Sequence, residues 1–245
     1  MLYAKRTKDS YETFEADCPH CGRQCIFNRV SDLGGATKID FRVVICLYPE
    51  CGREFAINGD SADPAFAQVF FGVYELMPKK RYGEAVVETA RAYEMFFEHS
   101  LREALVWKPF VSNGYKEETE EVNAASSALT DEIEHWPFMK MRNAFMNVAA
   151  RQRVETLADG LSVIRQMRGL AASPPIDTVL SAVASTTLRL ALWRLRDSKI
   201  ARVRNAVVHK FGHRPEESDA RALFEEARDL IWTLADELHV RYDSL

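Results

Sequence analysis

Residues 83–107 read GEAVVETARAYEMFFEHSLREALVW. Val86, Ala90, Tyr93, Phe97, Leu101 and Leu105 step along this stretch by three or four residues, the repeat of one α-helical face. A stripe this apolar must be buried against other elements, and the rest of the chain supplies them. From Asp63 onward apolar residues recur at helical spacing, and Gly and Pro retreat to a few punctuating positions. Residues 129–170 predict one long helix or two, with Trp136-Pro137 as a start or a kink. Ser173-Pro174-Pro175 breaks the chain, residues 176–210 predict another long helix, and Pro215-Glu216-Glu217-Ser218-Asp219 opens a last one ending near Val240. The polar stretch 112–127, with Asn113-Gly114 and a run of glutamates, reads as a solvated loop.

Ahead of residues 58–64 the pattern changes to short β-prone runs, at 11–16, 24–30, 39–46 and 54–57, with Asp32-Leu33-Gly34-Gly35 as a turn. The expectation is a mainly α protein, a helical bundle over residues 63–245 preceded by a small β ribbon over residues 1–62. With 245 residues, 47% hydrophobic and 28% charged, the chain can bury a core and is neither disordered nor collagen-like. Its formal net charge of -4 gives no global basic field, so any nucleic-acid site has to be local. No window is apolar enough for a membrane span, and no apolar segment follows the first charged residues as in a signal peptide. The expected location is the cytoplasm.

All five cysteines fall between Cys18 and Cys51. Cys18-Pro19-His20-Cys21-Gly22 is a tight Cys-x2-Cys-Gly knuckle, and Cys46 and Cys51 form a wider pair followed by Gly52. Four thiolates from two turns can close a tetrahedral shell, which points to structural Zn2+ on Cys18, Cys21, Cys46 and Cys51. A ribbon this small buries too little to hold itself together, and zinc can supply roughly 10–16 kcal/mol of coupled folding energy. Cys25, in a β-prone run, and His20, inside the knuckle, remain as alternative ligands.

A second constellation lies late in the chain. Eight basic residues fall between Arg189 and Arg214 against Asp197 alone, whereas eight acidic residues fall between Glu216 and Glu237 against Arg221 and Arg228. A basic helix inside an acidic protein suits a phosphate-binding surface, with Lys199, Arg202 and Lys210 as candidate RNA-binding residues. Within it, Asn205 and His209 lie one helical turn apart, while Arg204 sits about 140° from His209 and needs its long side chain, or a second protomer, to reach the same phosphate. A bland alternative makes His209 a dipole-stabilising residue in a last helical turn. His209 and His213 also form a His-x3-His pair with metal-ligand spacing, against which Gly212 and Pro215 signal a helix end.

Arg204-Asn205-Ala206-Val207-Val208-His209 resembles the hallmark motif of the HEPN superfamily, an Arg, a polar residue, three variable residues and a His near a late helix. The helix through residues 92–97 resembles the first long helix of such domains, and the acidic helix from Glu216 the one after the motif. The resemblance implies a homodimer that brings two motifs into a shared cleft. It also implies metal-independent endoribonuclease activity, with Arg204, Asn205 and His209 as catalytic residues, in a defence, stress or toxin-like setting with a protein partner such as an antitoxin. His209 would act as general acid or base, since imidazole exchanges protons near neutral pH; Arg204 would neutralise the phosphoryl oxygens, and Asn205 would position the phosphate or the histidine. Other members of the family are inactive, so a non-catalytic dimerisation or nucleic-acid- or protein-binding module is the alternative.

Overall fold

The computed structural model describes residues 13–28, 42–57, 65–112, 119–151, 154–209 and 213–240. The chain divides into two compact units, the first ending at Gln68 and the second running over Val69–Val240.

In the first unit, β1 (Thr13–Asp17) pairs antiparallel with β2 (Gln24–Asn28), Ala16 opposite Cys25 and Phe14 opposite Phe27. Likewise β3 (Arg42–Ile45) pairs with β4 (Glu54–Ile57), Val44 opposite Phe55. Strand alternation turns Cys25, Phe27, Val44 and Phe55 inward, where they form a small core with Cys18 and Cys46. The rings of Phe27 and Phe55 meet at 6.2 Å between centroids. Each hairpin is thus closed by one cysteine knuckle, and the core lies beneath both. The turn expected at Asp32-Leu33-Gly34-Gly35 lies outside the described residues.

The second unit is helical. Helix α1 (Ala65–Leu76) enters it at Val69, and after it comes α2 (Tyr82–Arg102), which continues through a π-helical turn, Glu103–Trp107, into the short α3 (Lys108–Ser112). Val86, Ala90, Tyr93, Phe97, Leu101 and Leu105, the stripe that the sequence marks, are all buried to within 1% exposure. Then follow α4 (Thr119–Ile133), α5 (Phe138–Arg151) and α6 (Leu157–Ala171), and after them α7 (Asp177–Ser181), α8 (Thr186–Asp197), α9 (Ile200–His209) and α10 (Glu217–Glu237). Helix α2 is the axis, packed by α5, α9 and α10, while α6 packs on α5 and on the π turn, and α8 on α10. Phe145 of α5 sits against Phe96 and Phe97 of α2 at 5.4 and 5.0 Å between centroids. No helix among the described residues is long and apolar enough to cross a membrane.

Three expectations are corrected. Residues 119–127 are helical, not loop: Val122, Ala125, Leu129 and Ile133 form a buried stripe, and Glu120 and Glu121 in the first turn suit the positive end of the helix dipole. The single helix expected over 176–210 is three helices. Serine side chains divide it: Ser185 Oγ accepts the Leu188 N–H at 3.1 Å to open α8, and Ser198, at an extended ψ of 136°, accepts the Ile200 N–H at 3.3 Å as α9 begins. The segment over 129–170 holds the end of α4 and two further helices, with Trp136-Pro137 leading into α5 and a capping box of Thr156 and Asp159 opening α6.

At Gly160, α6 approaches the π turn closely. A Cβ there would fall 1.9 Å from the Leu105 carbonyl oxygen of the π turn, so only glycine lets the two backbones meet.

Candidate functional site

Two places concentrate the residues singled out from the sequence. In the first, the sulfurs of Cys18, Cys21, Cys46 and Cys51 all lie within 4.8 Å of one another. The knuckles that deliver them are built alike. The Cys18 N–H donates to the Arg23 carbonyl at 3.0 Å and the Cys46 N–H to the Arg53 carbonyl at 2.9 Å, each bond spanning its turn from the first cysteine to the arginine after the glycine. Gly22 and Gly52 take the left-handed φ of +67° and +52° that closes each turn. The repeated Cys-Gly-Arg at residues 21–23 and 51–53 was the available signal for this equivalence. Arg23 then ties one knuckle to the other, its Nη1 3.1 Å from Glu50 Oε2 and its guanidinium carbon 4.9 Å from the centre of the Tyr48 ring.

The geometry fits a metal. Four sulfurs bonded at ~2.3 Å to one tetrahedral ion lie ~3.8 Å apart. Cys18 and Cys51 are 3.8 Å apart and Cys21 and Cys46 3.7 Å, so these two pairs stand at metal-site spacing, and every pair of the four lies within 4.8 Å. Burial acts to raise the Cys18 thiol, yet the backbone N–H groups of His20 and Cys21 and the neighbouring thiols outweigh it and bring it down to about 7. Burial, aided by the other sulfurs, pushes Cys46 up instead. Crowded thiols cannot all ionise alone, and a dication at the centre removes that conflict.

The alternative ligands are placed elsewhere. Cys25 is buried on β2, 3.8 Å from the sulfur of Cys46 but outside the four-sulfur cluster. The His20 Nε2 lies 3.0 Å from the Glu54 carbonyl oxygen, a hydrogen bond that uses the ring as a strap across the ribbon.

The second place is the C-terminal half of α9. Ile200 and Ala201 are buried where the helix starts, and Arg202, Asn205, Val208 and His209 lie exposed. Arg204, partly buried, donates from Nη1 to the Asn205 Oδ1 at 3.2 Å. Glu94 of α2, which the sequence analysis did not single out, lies near enough for the charge of Arg204 to act on it, and α2 packs on α9. Burial raises the Glu94 carboxyl, while the charges of Arg204 and Arg91 pull it back down. A charged residue within the otherwise apolar run Tyr93-Glu94-Met95-Phe96-Phe97 was the signal for it. At the helix end, a Cβ on Gly83 would stand 3.4 Å from Val207 Cγ1 and 4.0 Å from Pro215 Cδ, so the start of α2 meets the last turn of α9.

The basic stretch does not act as one surface. Arg194 is paired with Asp229 of α10 at 2.7 Å, Arg196 with Asp177 of α7 and Asp197, and Arg189 donates to Thr186. Lys199 and Arg202 are exposed, and Lys210 lies outside the described residues. His213 is exposed. No protein-family model, curated protein or solved structure matches this chain.

Proposed function

We propose that the chain is a metal-independent endoribonuclease of HEPN type that works as a homodimer. The observation that carries this reading is the Arg204–Asn205 hydrogen bond beside the exposed His209, which sets a fixed cation and a free imidazole at one helix end. In the proposed reaction an imidazole takes the proton of an RNA 2′-OH, whose oxygen attacks the adjacent phosphorus. The bond to the 5′-oxygen breaks, that oxygen receives a proton, and a 2′,3′-cyclic phosphate and a 5′-OH remain. Arg204 balances the charge that gathers on the phosphoryl oxygens, and Asn205 holds the guanidinium in place. Two copies of His209 across a two-fold supply the acid and the base, and the exposed Val208 beside them offers an apolar contact for the same interface. Lys199, Arg202 and Lys210 serve as phosphate contacts along the approach to the site.

The four-cysteine cluster holds Zn2+ in this reading. Four thiolates leave no open coordination position, so the ion folds the ribbon and takes no part in the chemistry. A cytoplasmic, defence- or toxin-like role with a protein inhibitor follows from the same resemblance. The specific observation on the side of a non-catalytic module is that Arg204 already has Asn205 and Glu94 as neighbours, which suits a structural arginine equally well.

End-labelled RNA incubated with the protein and a chelator decides between them. The enzyme reading expects cleavage products ending in 2′,3′-cyclic phosphate; binding without turnover supports the module.

A further inference from the structure

A cleft of about 450 Å³ opens between the end of α1, the turn after it and the first half of α10. That volume lies within the range of about 300–1,000 Å³ usual for small-ligand sites. Its floor is Phe224, buried, with the Tyr74 ring set edge-on to it at 4.8 Å. Tyr74 is 47% exposed, so part of its ring is open to a ligand. Lys80, Arg221 and Arg228 bring three cations to the cleft, against the carboxylates of Glu217 and Glu225.

The cations are held in different ways. Arg221 donates to Glu217 Oε1 at 2.9 Å, and Glu217 also accepts from the Tyr82 hydroxyl at 2.7 Å, so that carboxylate is used twice within the wall. Arg228 donates from Nη1 to the neutral Tyr74 hydroxyl at 2.9 Å, and the charges of Glu225 and Asp229 act on it without a direct ion pair among the described residues. Lys80 occupies a left-handed φ of 57°, where glycine or asparagine is the usual choice. The turn is fixed by the Lys80 N–H to the Met77 carbonyl at 3.0 Å and the Arg81 N–H to the Leu76 carbonyl at 3.1 Å. The Lys80 side chain is exposed at the rim of the cleft.

We infer that this cleft is a subsite for one nucleotide of a single-stranded polynucleotide, its base against Tyr74 and its phosphate between Lys80 and Arg228. An aromatic face beside cations is how single strands are bound without regard to sequence. The wall of the cleft also adjoins the segment that packs on the end of α9. Tyr82 in its wall precedes Gly83, which meets Val207 two residues before His209. The inference rests on the ribonuclease reading for its choice of polymer and deepens it by placing a flanking nucleotide.

The test is fluorescence polarisation of the full chain with a labelled hexadeoxyuridylate, which lacks a 2′-OH and reads binding alone. Arg228→Gln and Lys80→Ala, both at exposed positions, are each expected to weaken binding about tenfold, and Tyr74→Leu by a similar factor. Lys140→Ala, which removes an exposed cation of α5 outside the cleft, should bind as the wild-type chain does. Oligonucleotide binding that Arg228→Gln, Lys80→Ala and Tyr74→Leu leave unchanged overturns the inference. So do absence of binding by the wild-type chain and equal competition by polyglutamate, which marks a site for acidic peptide. Binding through this cleft by a chain that cleaves no RNA keeps the subsite and discards the ribonuclease. Cleavage with all three cleft variants binding normally does the reverse.

Discussion

The Nη1 of Arg204 lies 3.2 Å from the Oδ1 of Asn205, whose angular position on α9 falls between those of Arg204 and His209. Helical geometry alone sets Arg204 and His209 about 140° apart, and a long side chain anchored on the intervening residue narrows that divergence. Asn205 is therefore a positioning residue in the proposed reaction. Asn205→Ala should lower RNA cleavage about 10²-fold through loss of guanidinium position. Asn205→Asp, which keeps an acceptor for Arg204, should restore part of it. Equal loss in both variants would show that Arg204 is not held this way.

Glu94 gives a pH signature for the same contact. Its folded carboxyl is raised by burial against the opposing pull of Arg204 and Arg91, so the folded state favours the protonated form. The cost of ionising it is absent below the unfolded carboxylate value and appears as pH rises through the folded one. Glu94→Gln, which cannot ionise, should thus gain thermal stability relative to wild type on going from pH 4 to pH 7. A relative loss over that interval would mean that attraction to Arg204 outweighs burial.

Two glycines of α6 should respond oppositely to alanine. At Gly160 a Cβ collides with the Leu105 carbonyl, and backbone cannot move aside as a flexible side chain can. Gly160→Ala should cost about 1–3 kcal/mol or more. At Gly169 nothing lies within 4 Å of a Cβ, so Gly169→Ala should be neutral or stabilise by up to about 1 kcal/mol through helix propensity. Denaturant unfolding of both variants measures the contrast.

For the ribbon, metal content separates the four-cysteine cluster from the fifth thiol. Protein purified without chelator should carry one equivalent of zinc, Cys25→Ala should keep it, and Cys51→Ser or Cys21→Ser should lose most of it. Elemental analysis giving less than half an equivalent for wild type, or loss of metal in Cys25→Ala, would contradict the assignment.

What was legible in the sequence follows from how local each signal is. The buried stripe from Val86 to Leu105 and the two cysteine knuckles are set by spacing within a few turns, and the structure has both. The division of residues 176–210 was not legible because Ser185 and Ser198 serve equally well inside a helix face or as caps, and only their partners decide. The glutamates at 117–121 hid the start of α4, since the stripe Val122, Ala125, Leu129 and Ile133 emerges only once the acidic first turn is read as helix. At the α9 site the sequence marks Arg204, Asn205 and His209, but Glu94 lies more than a hundred positions earlier. Packing of α9 on α2 alone brings it near. Of the basic stretch, Arg194 and Arg196 proved to be paired with acids of α10 and α7, which no one-dimensional charge count distinguishes from a free surface.

The most direct test of the account is RNA cleavage by wild-type and His209→Ala protein, each folded and zinc-loaded, with chelator in the assay. His209 is exposed, so its truncation should leave stability within about 1 kcal/mol of wild type. The account predicts wild-type products ending in 2′,3′-cyclic phosphate and 5′-OH, and a rate about 10²–10⁴-fold lower for His209→Ala. Cleavage by His209→Ala at the wild-type rate would contradict it.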